Sequence, residues 1–507
     1  MTSPATEDAG FDLTKGITLA DFDGKLMLRG HVEREPVLLA RIGDDILAVG
    51  AECTHYSGPL SEGILVDDTV RCPLHHACFS LRTGEAISAP AFAPLPCWRV
   101  ERDGDRIVVR EKIAAAQQGQ TLSGDHPRNI VIIGGGAAGF ACAEMLRRRG
   151  FAGSLTMLSE DVDPPCDRPN LSKDFLAGSA PDEWMPLQPD SFYAESKIDL
   201  HLATAVADID TANRTVKTVD GRIFPFDRLL IATGAEPVRL PIPGADQPHV
   251  FTLRSFADSR TIAERARTAK SAVILGSGFI GLEAAAALRE RGLAVHVVSL
   301  DARPLERVLG PQLGDFVRGL HEGHGVAFHM GTSFTAIGET TVTLSDGTIL
   351  PADLVIIGVG VRPRTALAEA AGLAVERGIV VNARLETAVS GIYAAGDVAR
   401  WADEGESGTI RVEHWVVAER QGQVAAENML GASQSFQDTP FFWSAHYDVT
   451  IRYVGHAEGW DAIEVDGDIA AQDCMVSYRK DGRLLAVATL GRDHAALEQS
   501  QLLAEPA

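Results

Sequence analysis

Positive charge is scarce in this chain: 46 Lys and Arg face 69 Asp and Glu, for a formal charge of −23. That balance excludes nucleic acid or an anionic membrane as a general partner. Long apolar runs are missing as well, and no stretch approaches the roughly 18 residues a transmembrane helix needs. Met1 to Gly10 has neither a basic stretch nor an apolar core of the secretory kind, so the cytoplasm is the expected compartment. Cysteine is sparse and odd in number: Cys53, Cys72, Cys78, Cys97, Cys142, Cys166 and Cys474. A disulfide scaffold does not fit such a set; a reducing compartment does, with some thiols as ligands and the rest in cores or on the surface.

What the chain does have is length for roughly three or four domains, and glycine in telling places. Asn129-Ile-Val-Ile-Ile133 reads as a buried parallel strand that breaks at Gly134. Gly134, Gly136 and Gly139 complete G-x-G-x-x-G as a helix begins, predicted over 137–149. Glycine is needed there for a tight turn, for close approach of a pyrophosphate and for helix–strand packing. The first amides of the helix then face the phosphate, which makes Gly134, Gly136, Ala138 and Gly139 the cofactor-binding candidates. The next apolar run ends at Glu160, 21 residues past Gly139, where an acid can hold a ribose hydroxyl. Leu229 to Ala232 is a further apolar strand, and Thr233-Gly234 turns its end back toward the cofactor.

The pattern recurs downstream. Ser271-Ala-Val-Ile-Leu275 leads into Gly276, Gly278 and Gly281, so a second nucleotide unit is expected, suited to NAD(H) or NADP(H). Asp301, 20 residues past Gly281, could serve the 2′-hydroxyl of NAD, and Arg303 could greet a 2′-phosphate. The preferred reading is NADH.

Ahead of both lies a region of short strands and Gly/Asp turns, from Phe11 to about Lys112, predicted to form a small all-β domain. It carries Cys53-Thr-His55 and Cys72-Pro-Leu-His75, with 16 residues between the two arms. Each arm offers one thiolate and one imidazole, so two loops can face each other across a metal centre. A zinc finger usually segregates its cysteine and histidine pairs. A Cys2His2 zinc site or unliganded core residues remain alternatives on the residues alone. One Cys and one His per arm, with Gly58-Pro59 and Cys72-Pro73 flanking, resembles the Rieske [2Fe–2S] domain, whose two irons take two Cys and two His respectively. The resemblance makes Cys53, His55, Cys72 and His75 the metal ligands. It also places the cysteines of the high-potential Rieske disulfide at Gly58 and Leu74, where neither exists, implying the low-potential, ferredoxin-like subgroup.

Pro164-Pro-Cys-Asp-Arg-Pro-Asn-Leu-Ser-Lys173 is predicted to be an ordered loop, neither strand nor helix. It resembles the Y-D-R-P-x-L-S-K loop of flavin-dependent ferredoxin reductases and apoptosis-inducing-factor-like proteins, with Cys166 where Tyr is usual. That resemblance implies FAD, contacted by Arg168 and Lys173, and a Lys173–Glu283 pair as the catalytic residues. A cation there stabilises charge arriving with a hydride. Gly391-Ile-Tyr-Ala-Ala-Gly-Asp397 resembles the second FAD motif, with Asp397 set to accept from ribityl hydroxyls and cap the next helix. Glu413, His414, Trp415 and Trp443 are further flavin-side candidates.

The expected architecture is multidomain: a Rieske domain (11–113), a linker (114–126), two α/β Rossmann-like nucleotide-binding domains and a C-terminal α+β interface domain (436–507). The FAD domain takes 127–250 and 375–435, and the NAD(P) domain takes 251–374. The implied activity is NAD(P)H oxidation through FAD and the cluster to a protein acceptor (an oxygenase, ferredoxin or cytochrome), and the implied assembly is a homodimer. Two alternatives stand beside it: a disulfide or peroxide reductase using Cys166, and a redox-sensing protein of the apoptosis-inducing-factor type.

Overall fold

The computed structural model describes residues 10–113, 127–403 and 408–504. The expected linker at 114–126 lies outside them. The chain divides into two compact units, the smaller made of the amino-terminal region together with 492–502.

The smaller unit is built from β-strands. A seven-stranded sheet has at its centre Glu35–Ile42, Asp45–Gly50 and Cys97–Asp103. A four-stranded antiparallel sheet (Ile64–Val66, Thr69–Arg71, Cys78–Ser80, Ala86–Ser88) carries the second Cys/His arm between its middle strands. Leu38, Val49, Leu60, Val70, Phe79 and Leu81 form the core that backs both arms. The terminal helix Asp493–Leu502 groups with this unit rather than with the sheet before it.

The larger unit contains two parallel five-stranded sheets of the same design. In the first, Asn129–Ile133 sits centrally between Ser154–Leu158 and Arg228–Ile231, with Asp199–His201 and Ile392–Ala394 outermost. In the second, Ser271–Leu275 lies between Leu354–Ile357 and Ala294–Ser299. The central strands are apolar after their first residue and buried except at Asn129, as a sheet covered on both faces requires. Both fingerprint turns leave the carboxyl end of a central strand, where open α/β sheets bind ligands. Ile392–Ala394 returning to the first sheet explains why that domain is split in sequence. Val250–Phe251 pairs with Leu354–Ile357, so the second sheet begins one residue before the expected border.

A five-stranded antiparallel sheet, Phe441–His446 through Arg483–Leu490, closes the unit. It shares a core with the second nucleotide domain: Tyr478 is fully buried and its hydroxyl donates to the Leu309 carbonyl at 2.9 Å. Among the described residues no helix is long and apolar enough to cross a membrane, and none of the seven cysteines is joined in a disulfide.

Candidate functional site

The two Cys/His arms have the same backbone course. Cys53 N–H donates to Gly58 O (2.8 Å) and Ser57 N–H to Cys53 O (2.9 Å); Cys72 N–H donates to Ala77 O (2.9 Å) and His76 N–H to Cys72 O (3.1 Å). Ser57 and His76, at equivalent places, both have positive φ (52° and 62°). The histidines are not equivalent. His55 stands two residues after its cysteine and His75 three after, yet their Nδ1 atoms approach to 3.2 Å. Two nitrogens bound about 2.1 Å from one tetrahedral metal lie about 3.4 Å apart. Burial holds the His55 imidazole down at about 4, in the neutral form a metal takes. Cys53 and Cys72 are buried and hydrogen-bonded to each other, which pushes the Cys53 thiol far up in the absence of a metal charge. Among the described residues no three His, Cys, Asp or Glu side chains close round one point. The candidates form two pairs, the division that a two-iron centre with two protein ligands per iron requires. The residues therefore fit the cluster.

Gly58 and Leu74 do come together: a Cβ on Gly58 would stand 3.0 Å from Leu74 Cδ1 and 2.8 Å from Cys72 Sγ. Tyr56, 46% exposed, packs its ring 4.1 Å from the His55 ring.

In the larger unit the first fingerprint turn opens a cleft of about 590 Å³, lined by Gly134, Gly136, Glu160, Arg168, Thr233, Gly234, Arg254 and Arg364 among others. Gly134 has φ +116°, and a Cβ on it would lie 2.1 Å from Ala232 O; one on Gly139 would lie 2.0 Å from Gly134 O. Both positions leave no room for a side chain. Gly139→Ala is therefore expected to give protein with little or no bound flavin, read as the absorbance ratio at flavin and protein wavelengths, because the turn and the helix cannot both keep their places. Ala138 is buried where a Cβ on Gly422 would stand 2.2 Å from its carbonyl oxygen, so the bare Gly422 lets the helices Ala137–Arg148 and Trp415–Met429 touch.

Arg168 lies over Gly136 and pairs with Asp161 at 3.1 Å. Its segment is ordered as expected but not free of helix: Arg168–Ser172 forms a 3-10 turn, and a helical turn, Asp174–Ala177, follows directly. Pro169 is compatible because at a helix start its missing N–H would have had no partner. Asp397 also departs from expectation. It is followed by the strand Ala399–Asp403, not a helix, and the next helix is capped at His414. Its carboxylate is instead paired with Arg254 at 2.6 Å, a cleft residue that the sequence reading did not single out. Glu160 is paired with Arg364, likewise missed, and Thr233 Oγ1 donates to Arg364 O at 2.9 Å.

Lys173 and Glu283 meet, Nζ to Oε2, at 2.8 Å. Glu283, 3% exposed, also accepts from Ser172 Oγ (2.5 Å) and Ser444 Oγ (2.6 Å). The pair joins the first domain's loop to the second domain's fingerprint helix Phe279–Glu290. Nearby, burial lifts Asp167 to about 6 against the pull of Lys173, and burial with Asp167 lifts Glu419 well above the carboxylate range. His414 Nδ1, Glu419 Oε2 and Gln421 Nε2 are buried without a hydrogen-bond partner. Such orphans call for a polar occupant, and a ring system edged with heteroatoms supplies one. With the open glycine turn and the flanking Arg168 and Arg254, the residues fit a flavin dinucleotide. Glu413 pairs with Arg411 at 2.8 Å, and His414 packs on Phe442. Trp415 starts the exit helix and Trp443 lies beside Phe441, both half-buried.

At the second fingerprint, Gly276 repeats the positive φ (+112°), and a Cβ on it would lie 2.2 Å from Gly358 O; one on Gly281 would lie 2.5 Å from Gly276 O. The turn at Gly278 is open. Asp301 is bound by Arg307 at 2.8 Å, while Arg303 is occupied by Asp315 and Glu306.

Two dinucleotide folds joined by a Lys–Glu pair, with two Cys/His arms on the same chain, point to a nicotinamide-dependent oxidoreductase. The chain belongs to the pyridine nucleotide-disulphide oxidoreductase family, whose profile matches residues 128–422. A Rieske [2Fe-2S] domain is matched at 18–99 and a reductase C-terminal domain at 441–507. The chain is 32% identical over 490 residues to apoptosis-inducing factor 3 of Mus musculus, covering 92% of this chain and 80% of that one. To putidaredoxin reductase of Pseudomonas putida it is 35% identical, covering 74% of this chain and 92% of that one. The crystal structure of the covalent putidaredoxin reductase–putidaredoxin complex superposes with a TM-score of 0.72 at 34% identity, over 75% of this chain and 94% of that one. The protein is thus an oxidoreductase of the ferredoxin-reductase type that uses FAD, NAD(P)H and a Rieske cluster.

Proposed function

We propose that the chain passes electrons from NADH to its own Rieske centre and on to a protein acceptor. The observation that carries this reading is the Lys173–Glu283 pair at 2.8 Å, which ties the flavin-side loop to the nicotinamide-side helix. FAD, when bound, would supply a two-electron acceptor able to release electrons singly, which suits a one-electron cluster. Lys173 would supply positive charge where negative charge arrives, and Glu283 would hold the ammonium in place. Arg168 and Arg254 would serve the pyrophosphate, and Glu160 a ribose hydroxyl. Asp301 would take the 2′-hydroxyl of NADH, with Arg307 at 2.8 Å holding its carboxylate. Cys53, Cys72, His55 and His75 would hold the cluster, and exposed Tyr56 beside them suits a surface offered to an acceptor.

Fusing the two modules raises the effective concentration of the electron carrier at its reductase. The test is an anaerobic titration with NADH and with NADPH, following flavin absorbance and electron paramagnetic resonance of the cluster. Bleached flavin beside a cluster that stays oxidised would overturn the internal relay.

The thiol alternative meets a chemical obstacle. Burial pushes Cys166 up to about 11, so little reactive thiolate is present at neutral pH. Cys166→Ser is expected to keep turnover within about twofold of the parent, measured with NADH and ferricyanide; abolition would instead support a thiol reductase.

A further inference from the structure

Behind the Lys173–Glu283 pair a file of polar side chains crosses the interior. Ser444 Oγ donates to Glu283 Oε1 (2.6 Å) and lies 3.1 Å from His446 Nε2. His446 Nδ1 is 3.2 Å from His321 Nε2, and His321 Nδ1 is 3.4 Å from the Tyr447 hydroxyl. Ser444, His446 and His321 are fully buried. Tyr447 is half-buried and stacks at 3.6 Å on His324, which is exposed. Every link is at hydrogen-bond distance, and one assignment satisfies all of them. Tyr447 O–H donates to His321, His321 to His446, His446 to Ser444 and Ser444 to the carboxylate. The line runs from half-buried Tyr447 to Glu283 with every link within 3.4 Å.

Sequence places these residues with economy. Ser444 and His446 are two apart on the strand Phe441–His446, so both point to one face. His321 comes from the helix Glu306–Gly323 packed beside it.

We propose that Ser444, His446, His321 and Tyr447 form a proton path between Glu283 and the protein surface. The inference rests on the proposed function. Oxidation of one NADH by two one-electron acceptors yields NAD⁺, two reduced acceptors and one proton. With FAD bound, that proton would be released beside the Lys173–Glu283 pair, where Glu283 is almost fully buried. An ammonium cannot accept it, whereas the Glu283 carboxylate can. Outward passage uses the opposite order, with both imidazoles in their Nδ1–H tautomers: protonated Glu283 donates to Ser444 and Ser444 to His446 Nε2, each imidazole gains a proton at Nε2 and gives one up at Nδ1, and Tyr447 takes the last while its own hydroxyl proton leaves. The file is then left in the inward-pointing order above, which must be turned back before the next proton. Burial, with Lys173 acting on His446 and with His446 and His324 acting on His321, holds both imidazoles near about 3, so protons pass through rather than rest there. Burial and Glu290 raise the Tyr447 hydroxyl against the pull of Arg289, so it too stays protonated.

The test uses the full-length holoenzyme, NADH and ferricyanide in weak buffer, with a pH-indicator dye followed beside flavin absorbance in a stopped-flow instrument. In Ser444→Ala and His446→Phe, proton release is expected to lag flavin reoxidation by about tenfold or more. The lag should lengthen in D₂O, shorten with added imidazole and largely vanish in Ser444→Thr. Proton release that keeps pace in both variants, indifferent to imidazole, overturns the path. Independently of turnover, nitrogen-15 histidine spectra of the parent protein should show a slowly exchanging imidazole N–H shared by His321 and His446; two rapidly exchanging, uncoupled rings overturn it. Failure of NADH to bleach the parent flavin would sink the proposed function, whereas normal bleaching without a lag in the variants sinks only the path.

Discussion

Replacing His75 with alanine is expected to strip the chain of its iron while leaving it yellow. His75 gives one of the two nitrogens that meet at 3.2 Å, and an iron left with a single protein ligand has no closed coordination. Even partners that only orient a ligand are worth about 10- to 100-fold in metal affinity, so loss of the ligand itself is expected to take iron from about two per chain to near none. His75 is the informative choice because it sits half-buried on a loop, whereas Cys72 is 1% exposed within the core and its replacement would also disturb packing. The readouts are iron and acid-labile sulfide, together with the resonance signal of the reduced protein. Flavin content should hold, because the FAD cleft is built from the larger unit alone. Zinc in the parent protein, or full iron content in the variant, would refute the ligand assignment.

Lys173→Met is expected to cut the rate of flavin reduction by NADH by about 100- to 1,000-fold, the usual loss when a preorganised charge stabiliser is removed. It should also destabilise the larger unit. Glu283 would keep only Ser172 and Ser444 as donors at a site 3% exposed, and unpairing one member of a buried ion pair costs about 3–5 kcal/mol. Lys173→Arg keeps the charge, and should recover most of the stability but less of the rate, since a planar fork cannot take the place of a compact ammonium. Stopped-flow reduction and thermal unfolding separate the two effects. An unchanged reduction rate in Lys173→Met would remove Lys173 from the chemistry.

Much of the architecture was readable in the chain. Both glycine fingerprints lie on the strand–turn–helix units that their spacing predicts, because a positive φ and a contact near 2 Å leave no freedom at Gly134 and Gly276. The Cys/His arms were legible for the same reason: ligand chemistry restricts residue type at fixed positions. What could not be read were partnerships set by tertiary folding. Arg254 reaches Asp397 across 143 positions and Arg364 reaches Glu160 across 204; an isolated arginine on a loop carries no local sign of its partner. The helix expected after Asp397 failed because an N-cap carboxylate and a carboxylate held by a distant arginine look alike in sequence. Ser444 and His446 left one faint trace, polar residues alternating within an otherwise apolar run.

Gly58 has an evolutionary consequence. With a Cβ there standing 2.8 Å from the Cys72 sulfur and 3.0 Å from Leu74, any lone replacement crowds a ligand thiol before it can form a covalent brace across the arms. In this chain a cysteine at position 58 is therefore expected to be accommodated only beside a smaller side chain at position 74, so the two changes would have to come together.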